Sequence, residues 1–122
     1  MKESVLRQKS QNFATRIVNM HKYLGKKKEF TISKQILRSG TSIGANIAEA
    51  GSAFTKKDFI SKLGISLKEC SETLYWLSIL KNSEFISEKQ YESIYKDCFE
   101  IASILNASIK TAKKNLNNDS KQ

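Results

Sequence analysis

Residues 35–51 read QILRSGTSIGANIAEAG, and this stretch keeps a helical apolar rhythm while filling its other positions with small and polar residues. Ile36, Ile43, Ile47 and Ala50 recur at spacings of seven, four and three, the rhythm of a helix with a narrow buried seam. Gly40, Gly44 and Gly51 sit between them with Ser39, Ser42, Ala45 and Ala48, which lets another backbone approach closely. Glycine inside a helix costs about 1 kcal/mol relative to alanine, so Gly40 and Gly44 imply compensation by contact or function. Arg38, Ser42, Asn46 and Glu49 step by four, four and three and share one stripe. That stripe is suited to a hydrogen-bonded network.

The apolar rhythm extends on both sides. Before it, Leu6, Phe13, Ile17, Met20 and Leu24 form a seam, with Ser10 at the missing step, in a helix expected from about Ser4 to Leu24. Gly25 is the expected C-terminal cap, with Lys26, Lys27 and Lys28 facing the carbonyl end of the dipole. The second helix is expected to start at Thr31 or Ser33, either of which can cap, and to end near Gly51 to Ala53. Thr55 with Asp58 resembles a capping box for a third helix ending near Asn82, with Phe59, Leu63, Leu67, Cys70, Leu74 and Leu77 on its seam. Ser87 and Gln90 form an S-x-x-Q box that launches a fourth. Its seam is Tyr91, Ile94, Cys98, Ile101, Leu105, Ile109 and Ala112, and it is expected to fade near Asn115.

Four amphipathic helices joined by short turns make an all-α, antiparallel up-down-up-down four-helix bundle the expected fold. At 122 residues, without proline, the chain reads as one domain over 1–116 followed by a frayed polar tail over 117–122. It contains no run long enough to span a bilayer and no signal-peptide pattern, which points to the cytoplasm. Two cysteines, Cys70 and Cys98, are too few for a disulfide framework and read as reduced, buried thiols.

Net charge is +9, which makes a polyanion a plausible partner. Residues 1–30 alone carry +6, and each later helical segment adds only +1. An up-down topology gathers Lys2, Arg7, Lys9, Lys56, Lys57, Lys62, Lys110, Lys113 and Lys114 at one end. The other end collects Lys22, Lys26, Lys27, Lys28, Lys34 and Arg38, while Glu92, Asp97 and Glu100 make the middle of the fourth helix acidic. The candidate nucleic-acid contacts are Lys22, Lys26, Lys27, Lys28, Lys56, Lys57, Lys110, Lys113 and Lys114. The competing reading of such clusters is dipole complementation and solubility. No aromatic residue is expected to interleave with these lysines as a stacking platform, so binding of RNA or DNA would be backbone-led and weakly selective.

Tyr75 and Trp76 flank the third seam and are candidates for an oligomer interface. Ser66 and Glu69 share a face of that helix, and Ser42 or Asn46 is the expected partner of Glu69, since Arg38 is expected to lie near the third helix's end. Catalysis has little support. His21 is the single histidine, and no triad, E-x-x-H motif, Walker loop or dinucleotide fingerprint appears. A non-enzymatic protein without metal or other cofactor is the expectation, although Glu49, Glu69 and Glu72 are carboxylates of the type a metal would use.

RSGTSIGANIAEA (Arg38 to Ala50) together with SLKECSETLYWL (Ser66 to Leu77) resembles the 23S rRNA-intervening-sequence proteins. The matching positions are Arg38, Ser39, Ser42, Ile43, Asn46, Ile47, Ala48 and Glu49, with Ser66 and Glu69. Many members have Gly directly after the Glu, where this chain has Ala50 and then Gly51. The resemblance implies a cytoplasmic bacterial bundle that assembles into homopentamers. It also implies a connection with ribosomal RNA genes, since some members are encoded within insertions there. The similar accessory proteins of diversity-generating retroelements bind nucleic acid and a reverse transcriptase. Two functional expectations follow: nucleic-acid binding through basic helix ends, or a protein-interaction scaffold, reverse-transcriptase accessory-like, with no direct nucleic-acid role.

Overall fold

A computed structural model of the protein describes residues 2–120, all of whose regular structure is helical. The helices are α1 (Lys2–Lys26), α2 (Thr31–Ala50), α3 (Lys56–Asn82) and α4 (Glu88–Ser120). Each packs on its neighbour in sequence and α4 returns to α1, while among the described residues the diagonal pairs lie farther apart, so the four form an up-down-up-down bundle. The α1–α4 junction is the sparsest of the four.

The expected seams of α1, α2 and α4 lie in the core: Phe13, Ile17, Leu24, Ile36, Ile43, Cys98 and Leu105 are fully buried. On α3 the buried line differs. Leu63, Ser66, Cys70, Thr73, Leu77 and Leu80 are buried, whereas Phe59, Leu67 and Leu74 are only partly covered. Small polar residues explain the rotation. The Ser66 hydroxyl donates to the Ile43 carbonyl at 2.8 Å, and the Thr73 hydroxyl lies 2.9 Å from the Ser39 hydroxyl and 2.8 Å from the Glu69 carbonyl. Satisfied in this way, hydroxyls can occupy the α2–α3 contact without a desolvation penalty.

Small residues also bring α1 onto α2. A Cβ on Gly40 would lie 2.7 Å from Ile17 Cγ1, and one on Gly44 would lie 3.3 Å from Ser10 Oγ. The compensation implied by glycines inside the helix is therefore this close approach.

Caps depart from the expected pattern in two places. Neither Thr31 nor Ser33 caps α2; the Glu29 carboxylate accepts from the Ile32 and Ser33 amides, and Ser33 is buried with its hydroxyl 2.7 Å from His21 Nδ1. An acidic group at the helix N-terminus satisfies orphan amides and the dipole together. Gly25 is not the C-terminal cap of α1. Lys28 takes the left-handed conformation at φ 62°, with Glu29 N–H bonded to the Leu24 carbonyl at 2.9 Å and Lys28 N–H to the Gly25 carbonyl at 3.0 Å, a Schellman turn. Glu84, at φ 65°, repeats this turn after α3. The Ser87–Gln90 box closes reciprocally at 2.8 and 3.1 Å, and Thr55 caps α3 through the Asp58 amide.

The fourth helix does not fade near Asn115. It continues to Ser120, and Lys56 pairs with Asp119 across its last turn. Of the expected frayed tail over 117–122, residues 117–120 are helical, and residues 121–122 lie outside the described part. Register accounts for the exposed surface there: Arg16 meets Asp97 and Cys98 meets the Cys70 carbonyl, so α4 beyond about Lys113 projects past the starts of α1 and α3.

Candidate nucleic-acid interface

The two bundle ends differ in how their cations are engaged. At the end formed by the α1 and α3 starts, Lys56 pairs with Asp119 and Lys62 with Glu49 at 3.0 Å. Higher up, Lys9 pairs with Glu100 and Arg16 with Asp97 at 2.6 Å. The acidic middle of α4 thus answers part of the positive excess of α1. Lys57, Lys110, Lys113 and Lys114 are exposed and have no ion pair among the described residues, but Lys113 and Lys114 lie where α4 begins to project past the starts of α1 and α3.

At the opposite end, Lys22, Lys26, Lys28 and Lys34 are exposed, again with no ion pair among the described residues. Lys27 is held: its ammonium donates to the Phe85 carbonyl at 3.1 Å and sits 4.8 Å above the Tyr23 ring. Tyr23's hydroxyl is pushed below the usual tyrosine range, chiefly by its hydrogen bond with Lys27 and next by that with Gln90. Lys81 covers the Tyr91 ring at 4.4 Å, and Phe30 is exposed beside the lysine turn. Two rings at this end thus lie under lysines, Tyr23 under Lys27 and Tyr91 under Lys81, each covered on one face by an ammonium. The signal was present as Tyr23 four residues before Lys27, the spacing of neighbours on one helix face.

The polar stripe of α2 separates into pieces. Arg38 donates to Glu69 at 3.1 Å and also pairs with Glu72, whose carboxylate accepts from the Trp76 indole at 2.9 Å. Ser42 and Asn46, the expected partners of Glu69, bond within their own helix, to the Arg38 and Ser42 carbonyls at 2.6 and 2.8 Å. Glu49 faces Lys62. Arg38 lies two turns inside α2, and the Ser66–Ile43 and Thr73–Ser39 bonds set a register that puts it opposite Glu72 rather than at the end of α3. With Glu69 and Glu72 on Arg38 and Glu49 on Lys62, the three carboxylates do not converge. Tyr75 is 58% exposed and meets Trp76 edge-on at 5.1 Å; Trp76 itself packs against the core.

The profile of the 23S rRNA-intervening sequence proteins matches residues 2–107. The chain belongs to that family. It is also similar, at 56% identity and a TM-score of 0.89, to the crystal structure of a protein of unknown function from the S23 ribosomal protein family of Bacteroides thetaiotaomicron VPI-5482. That match covers 90% of this chain and 99% of the other. Among curated proteins, none matches. In this 23S rRNA-intervening sequence protein, the residues that carried the resemblance work mainly in packing. Ser39, Ser66 and Arg38 join α2 to α3, and α2 stops at Ala50, with Gly51 following in an ordinary right-handed conformation. No helix among the described residues is long and apolar enough to cross a membrane.

Proposed function

We propose that this chain is a non-enzymatic, cytoplasmic, self-associating bundle that binds RNA or DNA through the phosphates, with the α1–α2 turn as its principal contact. One observation carries this reading: Lys22, Lys26, Lys27 and Lys28 are exposed within seven residues, at the end of α1 and on the turn that Schellman hydrogen bonds fix after it, and none is ion-paired among the described residues. Phosphate contacts by lysine release counterions, with a slope of about −0.7 per phosphate for single strands. Fluorescence anisotropy with labelled ribosomal RNA fragments over a salt series tests it. Affinity should fall with salt and with Lys26→Glu/Lys27→Glu/Lys28→Glu, and absence of binding even at low salt would reject it. The Lys56, Lys57, Lys110, Lys113 and Lys114 end is the lesser contact, because part of its charge is paired.

A protein-interaction scaffold is the second reading, favoured by the exposed aromatics. Tyr75 is 58% and Phe99 56% exposed, and Phe99 stacks on Tyr95 at 6.2 Å. Aromatic residues are enriched where subunits meet. Light scattering of wild type and Tyr75→Ser tests self-association, for which the homopentamer of related proteins is the expected form. A strictly monomeric wild type would reject it.

A further inference from the structure

The α1–α4 junction opens into a groove of about 490 Å³, within the roughly 300–1,000 Å³ typical of small-ligand sites. Arg16 spans one end by donating to Asp97 at 2.6 Å and to Ser93 Oγ at 2.9 Å. Beyond Tyr23, which lines the groove, Lys27 donates to the Phe85 carbonyl and covers the Tyr23 ring. Between them the floor is Met20 and Ile94, and Tyr23 supplies an aromatic wall. Asn19 and Gln90 stand on opposite rims, one on each helix. The Gln90 carbonyl is engaged by the Ser87 amide, so its NH₂ remains as a donor on this rim. Asn19 presents both a donor and an acceptor. Lys89 stands on the rim, and Tyr23 ties the groove to the end of α1 that leads into the lysine turn.

An aromatic wall, amides on both rims and the Lys89 ammonium beside them match an unpaired nucleotide: a flat base with donors and acceptors on its edge, attached to a phosphate. We infer that this groove takes an extruded base of a single-stranded nucleic acid whose phosphates lie on the α1–α2 turn. The inference rests on the reading of that turn as the phosphate contact. It adds that binding discriminates single strands from duplex, because a stacked, paired base cannot enter. A purely backbone-led interface would bind both.

Three probes separate the two ideas: a fluorescein-labelled ten-nucleotide RNA, the same length of abasic sugar-phosphate backbone, and a duplex. Each is titrated over a salt series with wild type, Tyr23→Leu, Asn19→Leu and Lys26→Glu/Lys28→Glu, and circular dichroism establishes that the variants fold. Asn19 is exposed, so Asn19→Leu keeps the bundle intact even if Tyr23→Leu loosens it. The base-bearing strand should bind wild type about ten-fold or more tightly than the abasic strand, in line with loss of one stacked base. Tyr23→Leu and Asn19→Leu should reduce that advantage without changing the salt slope, whereas the lysine variant should lower the slope for every probe. Equal affinity for base-bearing and abasic strands, or an advantage untouched by both groove variants, overturns the groove while leaving the lysine turn standing. No binding of any probe at low salt overturns both.

Discussion

Replacing Gly40 by alanine tests the close packing of α1 on α2 most sharply. The added Cβ would lie 2.7 and 2.8 Å from Ile17 Cγ1 and Cγ2 and 3.1 Å from Cδ1. Two of those atoms are bonded directly to the Ile17 Cβ. A β-branched side chain in a helix has essentially one χ1 rotamer, and Ile17 is fully buried, so it cannot swing aside. Relief therefore requires the helices to separate. Alanine gains about 1 kcal/mol of helix propensity, and overpacking costs about 1–3 kcal/mol. With rigid atoms in the way, the upper half of that range applies, and Gly40→Ala should destabilise by about 1–2 kcal/mol. Internal controls exist in the same chain. A Cβ at Gly25 or Gly64 meets nothing within 4 Å, so Gly25→Ala and Gly64→Ala should each stabilise by about 1 kcal/mol. Gly44→Ala should fall near zero, its Cβ meeting Ser10 at 3.3 to 3.5 Å. Urea unfolding of the four variants gives the ranking from the midpoints at constant m. In a cycle with Ile17→Ala, Gly40→Ala should cost less, because the clashing atoms are gone. A Gly40→Ala protein as stable as Gly25→Ala would refute the reasoning.

Glu84→Gly should stabilise by about 0.5–1 kcal/mol, since the left-handed strain of a residue with a Cβ outweighs the chain entropy of glycine; thermal unfolding reads it. Arg38→Ala should cost about 1 kcal/mol, discounted because Arg38 is 49% exposed, and a double-mutant cycle with Glu69→Gln should recover part of the loss by removing one of two uncompensated carboxylates. Cys98 carries a thiol raised above the ordinary range, first by its hydrogen bond with Cys70 and then by burial. The unfolded thiol ionises at about pH 8.5 and the folded one does not, so this contribution is complete below that pH. It is lost at up to about 1.4 kcal/mol per pH unit above it, a slope that Cys98→Ala should reduce in urea titrations between pH 8.5 and 9.5.

The seams of α1, α2 and α4 were legible because their buried positions are apolar and keep the 3.6-residue period. On α3 the line through Leu67 and Leu74 misled. Its true centre runs through Ser66 and Thr73, and only the facing Ile43 carbonyl and Ser39 hydroxyl make those residues inward-facing. Similarly, Lys28 and Glu84 carry out a task glycine usually has, and nothing local marks them for it. The partner of Glu69 depended on interhelical register. The lysines of the candidate site were legible as a run, but their engagement was not. Which cations are paired, and which lie over rings, follows from the long reach of Asp97, Glu100 and Asp119 on α4 and from the placement of Phe85 against Lys27.

The central claim, that the α1–α2 turn holds nucleic acid, is tested most directly by measuring the acetylation rate of every lysine by mass spectrometry with and without a single-stranded RNA. The account predicts that Lys22, Lys26, Lys27 and Lys28 become protected while Lys110, Lys113 and Lys114 change less. Protection confined to the projecting end of α4, or none anywhere at low salt, would contradict it.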